Sequence, residues 1–254
     1  MNGDDLYGLD RMNALAEQLL EDENYYQLPN LRPRDAATLV LIDNTAPIPK
    51  VLLGKRHDGH KFMPGKYVFP GGGLEPGDKR MATARPLDRH AEERLMRAVK
   101  RPSPVKARAL ALAAIRETYE ETGLLLGVPA SAASETLPGP WAAFGQARIL
   151  PDLAAIHFVA RAITPPRRPK RFDTRFFAAD AGAIAHRVDG MIGPDAELVE
   201  LKWMPIAQAR RLDMPAITAV VLEELELRIA AGLGHDLPVP FYQMLHRRFV
   251  RELL

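Results

Sequence analysis

Residues 107–122 constrain the fold most, because they must form a helix with two chemically different faces. On a helical projection Glu117, Glu120 and Glu121 share one face. The opposite face carries apolar side chains suited to packing on a sheet: Ala111, Leu112, Ile115 and Tyr119. Gly123 follows as a candidate C-cap, since glycine readily adopts the left-handed conformation that ends many helices. The chain therefore combines a core-facing helix side with a cluster of carboxylates.

Two interpretations of this acidic face are open. Like charges at these spacings cost only a few tenths of a kcal/mol per pair, about 0.2–0.5, so a solvated helix face explains them. The alternative is a metal site, because the glycine-rich run "FPGGGLEPGD" at residues 69–78 offers backbone carbonyls nearby. Hard cations such as Mg²⁺ take carboxylate and carbonyl oxygens and leave positions for phosphate and water.

The remaining pattern predicts strands alternating with helices. Strands are expected at 36–43, 50–56, 67–69, 157–164, 173–180 and from 197, and helices at 10–23, 87–100, 107–122 and 214–232. This alternation predicts an α/β protein whose sheet is covered by helices on both sides. We predict a single domain over residues 1–254, with residues 214–254 forming a C-terminal helical extension packed on it.

Charge and composition exclude several classes of protein. The net charge of +2 over 254 residues is too small for bulk binding to nucleic acid or membrane. The absence of cysteine excludes disulfides, thiolate metal sites and a cysteine nucleophile. We find no signal-peptide pattern at the start and no apolar run long enough to span a bilayer, and therefore predict a cytoplasmic protein.

Residues 79–108 form a basic segment between the glycine run and the acidic helix. They contain ten lysines and arginines against Asp88, Glu92 and Glu93. A solvated, amphipathic insertion explains this composition. An anion-attracting lid beside a site is the alternative, and the sequence favours neither.

The glycine run and the acidic helix together resemble the signature of the Nudix hydrolases, GX5EX7REUXEEXGU, where U is a bulky aliphatic residue. Gly72 opens the match and Asp78 stands at the first glutamate. The second half matches in order and spacing at Arg116, Glu117, Glu120, Glu121, Gly123 and Leu124. Thr118 replaces an aliphatic residue, and residues 79–108 interrupt the signature. Loops tolerate such insertions at low entropic cost, about 0.6 kcal/mol per doubling of length.

The resemblance implies a Nudix fold, in which a mixed sheet lies between helices, with a helical insertion in the signature. It also implies a pyrophosphohydrolase that uses Mg²⁺ or Mn²⁺. The implied metal ligands are Glu117, Glu120, Glu121 and the carbonyl of Gly72, with Arg116 orienting the glutamates. A glutamate outside the signature often assists as the base in this family, and Glu197 and Glu200 are the candidates; ordinary strand-edge carboxylates are the alternative reading of both. A homodimer is a further family-level expectation.

The substrate suggested by resemblance is coenzyme A or an acyl-CoA. Residues 52–72, "LLGKRHDGHKFMPGKYVFPGG", are similar to the pattern of coenzyme A diphosphatases at Arg56, Gly65 and the FPGG, and depart from it at Gly54, His57 and Lys61. The interrupted signature resembles the acyl-CoA diphosphatase branch. Candidate contacts for a diphosphate or a 3′-phosphate are Arg56, Lys61, Arg167, Arg168, Lys170, Arg171 and Arg175, or the basic insertion.

Other functions stay open at this point. The enzyme could instead hydrolyse ADP-ribose, a dinucleotide or a modified nucleotide. A Nudix domain without turnover could bind a nucleotide or RNA through the basic insertion, although nucleic acid is not the partner we expect. We would expect such a module to lack one or more of the signature glutamates, whereas Glu117, Glu120 and Glu121 are all present.

Overall fold

The computed structural model describes residues 5–22, 27–59, 63–130 and 139–254. Its strands, in chain order, are β1 Arg34–Asp43, β2 Lys50–Arg56, β3 Tyr67–Val68, β4 Gly71–Gly73, β5 Leu124–Leu126, β6 Val128–Pro129, β7 Ile149–Leu150, β8 His157–Ile163, β9 Phe172–Asp180, β10 Ile184–Arg187, β11 Leu198–Pro205, β12 Pro240–Leu245 and β13 Arg248–Leu253. Its helices are α1 Asp5–Glu21, α2 Arg89–Leu95, α3 Pro104–Thr122, α4 Trp141–Ala147, α5 Ile206–Ala209 and α6 Ala216–Ala230. None of the helices in these ranges is long and apolar enough to cross a membrane.

The largest sheet runs in the order β11-β2-β1-β9-β8-β12-β13, with β3 added to β2 and β4 added to β1. It is mixed, because β1 pairs with β9 and β8 pairs with β12 in parallel while the other pairs are antiparallel. The first half of β1 pairs with the glycine strand β4 and its end pairs with β2. The glycine strand therefore lies beside the start of β1, within the main sheet.

The strand alternation of β1 explains why the sheet has a core on each face. Leu39 and Leu41 point to one face, where they pack with Ile115 of α3. Val40 and Ile42 point to the other face, where they pack with residues of α1 and α6. The predicted architecture, a mixed sheet between helices, is confirmed.

Helix α3 begins at the N-cap Ser103, whose hydroxyl accepts from the backbone of Lys106, and it ends at Gly123. Gly123 has φ 77°, the left-handed conformation that its prediction as a C-cap requires. Of the two interpretations of its acidic face, the structure does not support a fully solvated one. Its acidic side is not simply solvated, because Glu121 is buried at 6% exposure.

The prediction of a wholly helical segment at 214–254 is wrong for its second half. Only α6 is helical there, and β12 and β13 form an antiparallel hairpin that joins the sheet through β8. The two loop residues His246 and Arg247 both have positive φ, 47° and 69°. Two consecutive positive φ values are typical of a type I′ turn, whose twist matches that of the two flanking strands. This turn normally carries Asn or Gly. The sequence therefore lacked the usual turn signal.

Candidate active site

The glycine strand β4 lies against the C-terminal half of α3. A Cβ placed on Gly72 would lie 2.5 Å from the carboxylate carbon of Glu117. A Cβ on Gly71 would lie 2.6 Å from the backbone oxygen of Ala37. Glycine is therefore required at Gly71, where a side chain would meet the backbone of β1, whereas a side chain at Gly72 would displace the Glu117 carboxylate that covers its α-carbon.

Arg116 joins the two segments that the basic insertion separates in sequence. Its Nε donates to Asp78 Oδ1 at 2.8 Å, and its Nη2 donates to Asp78 Oδ2 at 3.2 Å and to the Gly73 carbonyl at 2.7 Å. Asp78 is fully buried and accepts further hydrogen bonds from Trp141 Nε1 at 3.3 Å and from the backbone of Glu75 at 2.8 Å. Residues 72–78 and 116–123 thus meet around one buried ion pair.

The same guanidinium also holds two of the three glutamates. Arg116 Nη1 donates to Glu117 Oε1 at 2.9 Å and to Glu120 Oε2. Burial disfavours the charged guanidinium, but the Asp78 hydrogen bond and the charges of Glu117 and Glu120 outweigh it and raise the pKa of Arg116. Arg116 therefore remains charged and holds the carboxylates of Glu117 and Glu120 by hydrogen bonds.

Glu121 is held on the other side of the cluster. Its Oε2 accepts from the backbone N–H of Gly71 at 3.3 Å. Burial, with the neighbouring charges of Glu197 and Glu117, raises the pKa of Glu121 well above its usual range. Burial also raises the pKa of Glu117 to about 7 and, less strongly, that of Glu120. The raised pKa values show that the surrounding residues supply too little positive charge for three ionised carboxylates. A bound cation would supply the missing charge.

The direction of the strand carbonyls corrects one predicted ligand. Leu39 N–H donates to Pro70 O and Leu74 N–H donates to Asp35 O, so the intervening pair Ala37–Gly72 is also of the hydrogen-bonded type. Gly72 therefore points its carbonyl at β1. Gly71 points its backbone groups away from β1, because its N–H reaches Glu121. The carbonyl available to a cation is that of Gly71, where the sequence had indicated Gly72.

The donor set fits a hard divalent cation. Carboxylates from one helix and a carbonyl from the facing strand are the oxygen ligands that Mg²⁺ and Mn²⁺ accept. Among the described residues, no group of three or more acidic, histidine or cysteine side chains is already gathered in the geometry of a metal cage. Arg116 engages one oxygen each of Glu117 and Glu120. The second oxygen of each carboxylate is the one that would face a cation.

The two candidate bases occupy different faces of the sheet. The charge of Glu197 acts on both Glu117 and Glu121, and its carboxylate pairs with Arg56 at 3.0 Å. Glu200 instead accepts from the hydroxyl of Tyr67 at 3.0 Å, and Tyr67 packs on the core under α1 and α6. The structure brings Glu197 to the glutamate cluster and places Glu200 away from it.

The arginines of residues 167–175 do not converge on one phosphate site. Arg167 donates to the carbonyl of Leu28, and Arg171 donates to the carbonyls of Leu31 and Thr164. Arg175 is buried at 1% exposure and pairs with Asp35 at 2.9 Å. Arg168 lines a cavity on the face of α1. Lys61 lies outside the described residues.

The basic insertion packs on the body of the protein. Met81, Leu87, Ala91 and Leu95 are buried in the core beneath α3. Arg94 donates to carbonyls of the C-terminal segment, including that of Leu254 at 3.2 Å. Several of its remaining cations are exposed, namely Lys79, Arg80, Arg97, Lys100 and Arg101. Buried apolar side chains and Arg94 therefore hold the segment against the core, while several of its charged side chains face solvent.

Comparison with solved structures identifies the fold. A Nudix hydrolase from Alicyclobacillus acidocaldarius matches with a TM-score of 0.58 and 28% identity, over 78% of this chain and 96% of that one. The Nudix domain of Shewanella oneidensis NrtR complexed with ADP ribose matches with a TM-score of 0.43 and 16% identity, over 84% and 97%. A C. elegans Ap4A hydrolase matches with a TM-score of 0.40 and 15% identity, over 78% and 99%. No protein-family model matches the sequence.

Proposed function

We propose that this chain, a pyrophosphohydrolase with the Nudix fold, hydrolyses the diphosphate of coenzyme A or an acyl-CoA. The products would be 3′,5′-ADP and phosphopantetheine or its acyl derivative. The proposal rests mainly on one observation: Arg116 of α3 binds both Asp78 and the carbonyl of Gly73, which holds the glycine strand against the acidic face of the helix. This arrangement gathers oxygen donors at one place, which diphosphate hydrolysis requires.

The metal would be held by Glu117, Glu120, Glu121 and the carbonyl of Gly71. Bound Mg²⁺ or Mn²⁺ supplies charge neutralisation for the diphosphate oxygens and lowers the pKa of bound water. Arg116 keeps Glu117 and Glu120 oriented through charge-assisted hydrogen bonds. The N–H of Gly71 fixes Glu121.

Glu197 is the proposed base. Its side chain is 47% exposed, so water can reach it, and its charge acts on Glu117 and Glu121. In this role it accepts the proton of the attacking water, while Arg56 at 3.0 Å holds its carboxylate in place. Glu200 is not assigned a role in the chemistry, because it lies with Tyr67 on the other face.

Support for coenzyme A as the substrate comes from the pattern at residues 52–72. The arginines between 167 and 175 add none, because they are engaged in separate contacts. Lys79 and Arg80 are exposed and follow the buried Asp78 directly, so they are the better candidates to bind a terminal phosphate. We also expect, from the resemblance, a homodimer in the cytoplasm.

A substrate panel tests this proposal. Coenzyme A, acetyl-CoA, ADP-ribose, NADH and a dinucleoside tetraphosphate are supplied at equal concentration with Mg²⁺ or Mn²⁺, and products are resolved by chromatography. The expected result is the highest kcat/KM for a coenzyme A species, with 3′,5′-ADP as product. Preference for ADP-ribose would overturn the substrate assignment. Binding without turnover, with affinity for RNA that falls steeply with salt, would favour a non-catalytic module.

A further inference from the structure

A cavity of about 590 Å³ lies on the sheet face opposite the glutamates. It is partly open and is bordered by α1, by the β8–β9 hairpin and by the start of α6, through residues that include Leu15, Leu19, Phe176 and Ile217. This volume is within the range of small-molecule sites, roughly 300–1,000 Å³. The cavity is large enough for a ligand of its own.

Strand β9 separates this cavity from the proposed active site. Phe176 lines the cavity and belongs to the core under α1 and α6, whereas its neighbour Phe177 belongs to the core under α3. Successive side chains of a strand point to opposite faces, so the sheet lies between the two sites. A molecule in the cavity would not contact the glutamates through this face.

The walls of the cavity suit a hydrocarbon. Methionine, leucine, isoleucine, proline and phenylalanine side chains make up most of the lining. Of the polar residues there, Thr164 already accepts a hydrogen bond from the backbone of Phe172 at 3.1 Å. A sugar or a nucleobase would lose hydrogen bonds to water on entering such a site without replacing them. An alkyl chain would lose none.

The charges that line the cavity favour an anionic head group. Arg168 and Lys170 both contribute to the lining, and among the described lining residues there is no aspartate or glutamate. Arg168 is half-buried, and it forms no ion pair with a carboxylate in the part of the chain that the structure describes. A guanidinium beside an apolar cavity can bind a carboxylate through paired, charge-assisted hydrogen bonds.

We propose that this cavity binds a single-chain carboxylate amphiphile of the fatty-acid class. Its alkyl chain lies between Leu15, Leu19 and Phe176, and its carboxylate meets Arg168. The site is independent of the proposed diphosphate hydrolysis, since it rests on other residues and on the other face of the sheet.

Calorimetric titration of the full chain with laurate, below its micellar concentration, tests the proposal. We expect saturable one-to-one binding, at least tenfold weaker binding of dodecanol, and no binding of dodecylammonium. Arg168→Glu should weaken laurate binding at least tenfold, whereas the charge-matched control Arg187→Glu, at an exposed position on β10, should not change it. Equal affinity for laurate and dodecanol, or equal effects of the two reversals, would overturn the carboxylate assignment.

Two further variants separate this proposal from others. Leu15→Trp fills the cavity and should weaken laurate binding at least tenfold; unchanged affinity in a folded Leu15→Trp protein would place the ligand elsewhere and refute the site. If that variant does not fold, the Arg168→Glu variant still decides the question. Glu121→Gln should bind laurate as the wild type does, because it changes only the glutamate site. Loss of binding in Glu121→Gln would contradict the separation of the two sites.

Discussion

Replacing Gly72 by alanine should impair catalysis while leaving the fold stable. The added Cβ would lie 2.5 Å from the Glu117 carboxylate carbon and 2.6 Å from its Oε2. Ordinary carbon contacts begin near 3.5 Å, so the carboxylate must retreat by about 1 Å. Glu117 is the end of a flexible side chain, so it can move without displacing backbone. A proposed metal ligand would then be out of position.

A displacement of this size can cost on the order of 100-fold in rate. That corresponds to roughly 2.7 kcal/mol of transition-state stabilisation. We therefore expect kcat/KM on the best substrate of the panel to fall about 100-fold in Gly72→Ala. The free energy of unfolding should change by less than about 1 kcal/mol, because the mutation removes no buried contact. Kinetics and urea unfolding measure the two quantities separately.

The neighbouring glycines provide matched controls. A Cβ on Gly73 would meet nothing within 4 Å, so Gly73→Ala should retain both activity and stability. A Cβ on Gly71 would lie 2.6 Å from Ala37 O and 2.7 Å from the Thr38 α-carbon, so Gly71→Ala should destabilise the strand itself. Its cost should be about 1–3 kcal/mol. If Gly72→Ala is as active as Gly73→Ala, displacement of the Glu117 carboxylate from Gly72 does not affect catalysis. The proposed role of Glu117 at this position would then be refuted.

Three further changes test other parts of the structure. Asp78→Asn removes the charge that pairs with the buried Arg116 and should lower the free energy of unfolding by about 3 kcal/mol in urea titrations; an unchanged midpoint would contradict the buried ion pair. Glu197→Gln should lower kcat at least 10-fold, as expected for loss of a general base, whereas Glu200→Gln should not; equal effects would remove the assignment of Glu197. Burial lowers the pKa of His157 from 6.5 to about 4. Between these pH values His157 is therefore protonated in the unfolded chain and neutral in the folded protein. Stability should therefore fall as the pH falls from 6.5 to 4, and His157→Phe should flatten this dependence; parallel pH profiles of the two proteins would show that His157 is not the cause.

The local features of the site could be predicted from sequence because they depend on short-range geometry. The spacing of Glu117, Glu120 and Glu121 determines that they share a helix face, and Gly123 adopts the left-handed conformation expected of a C-cap. The resemblance placed Asp78 and Arg116 in one signature despite the intervening insertion, and the structure adds that the two side chains form a buried ion pair. The structure shows that the two ends of that insertion meet at this ion pair.

Features that depend on long-range pairing could not be predicted. Only the register of β4 against β1 shows that the carbonyl of Gly71, not that of Gly72, faces the glutamates. Glu197 and Glu200 lie three positions apart, so a strand would turn them to opposite faces, but only the folded structure shows that Glu197, paired with Arg56, is the one near the glutamate cluster. Arg175 looked like a phosphate ligand by composition, yet its strand position buries it against Asp35.

The most direct test of the central claim is the rate of diphosphate hydrolysis as a function of Mg²⁺ or Mn²⁺, compared between the wild type and Glu121→Gln. The substitution keeps the shape of a side chain that is 6% exposed, so thermal unfolding should be little changed. We predict that the wild type requires the divalent ion, and that Glu121→Gln is nearly inactive at every metal concentration. Full activity of the variant, or wild-type activity that persists in excess chelator, would contradict it.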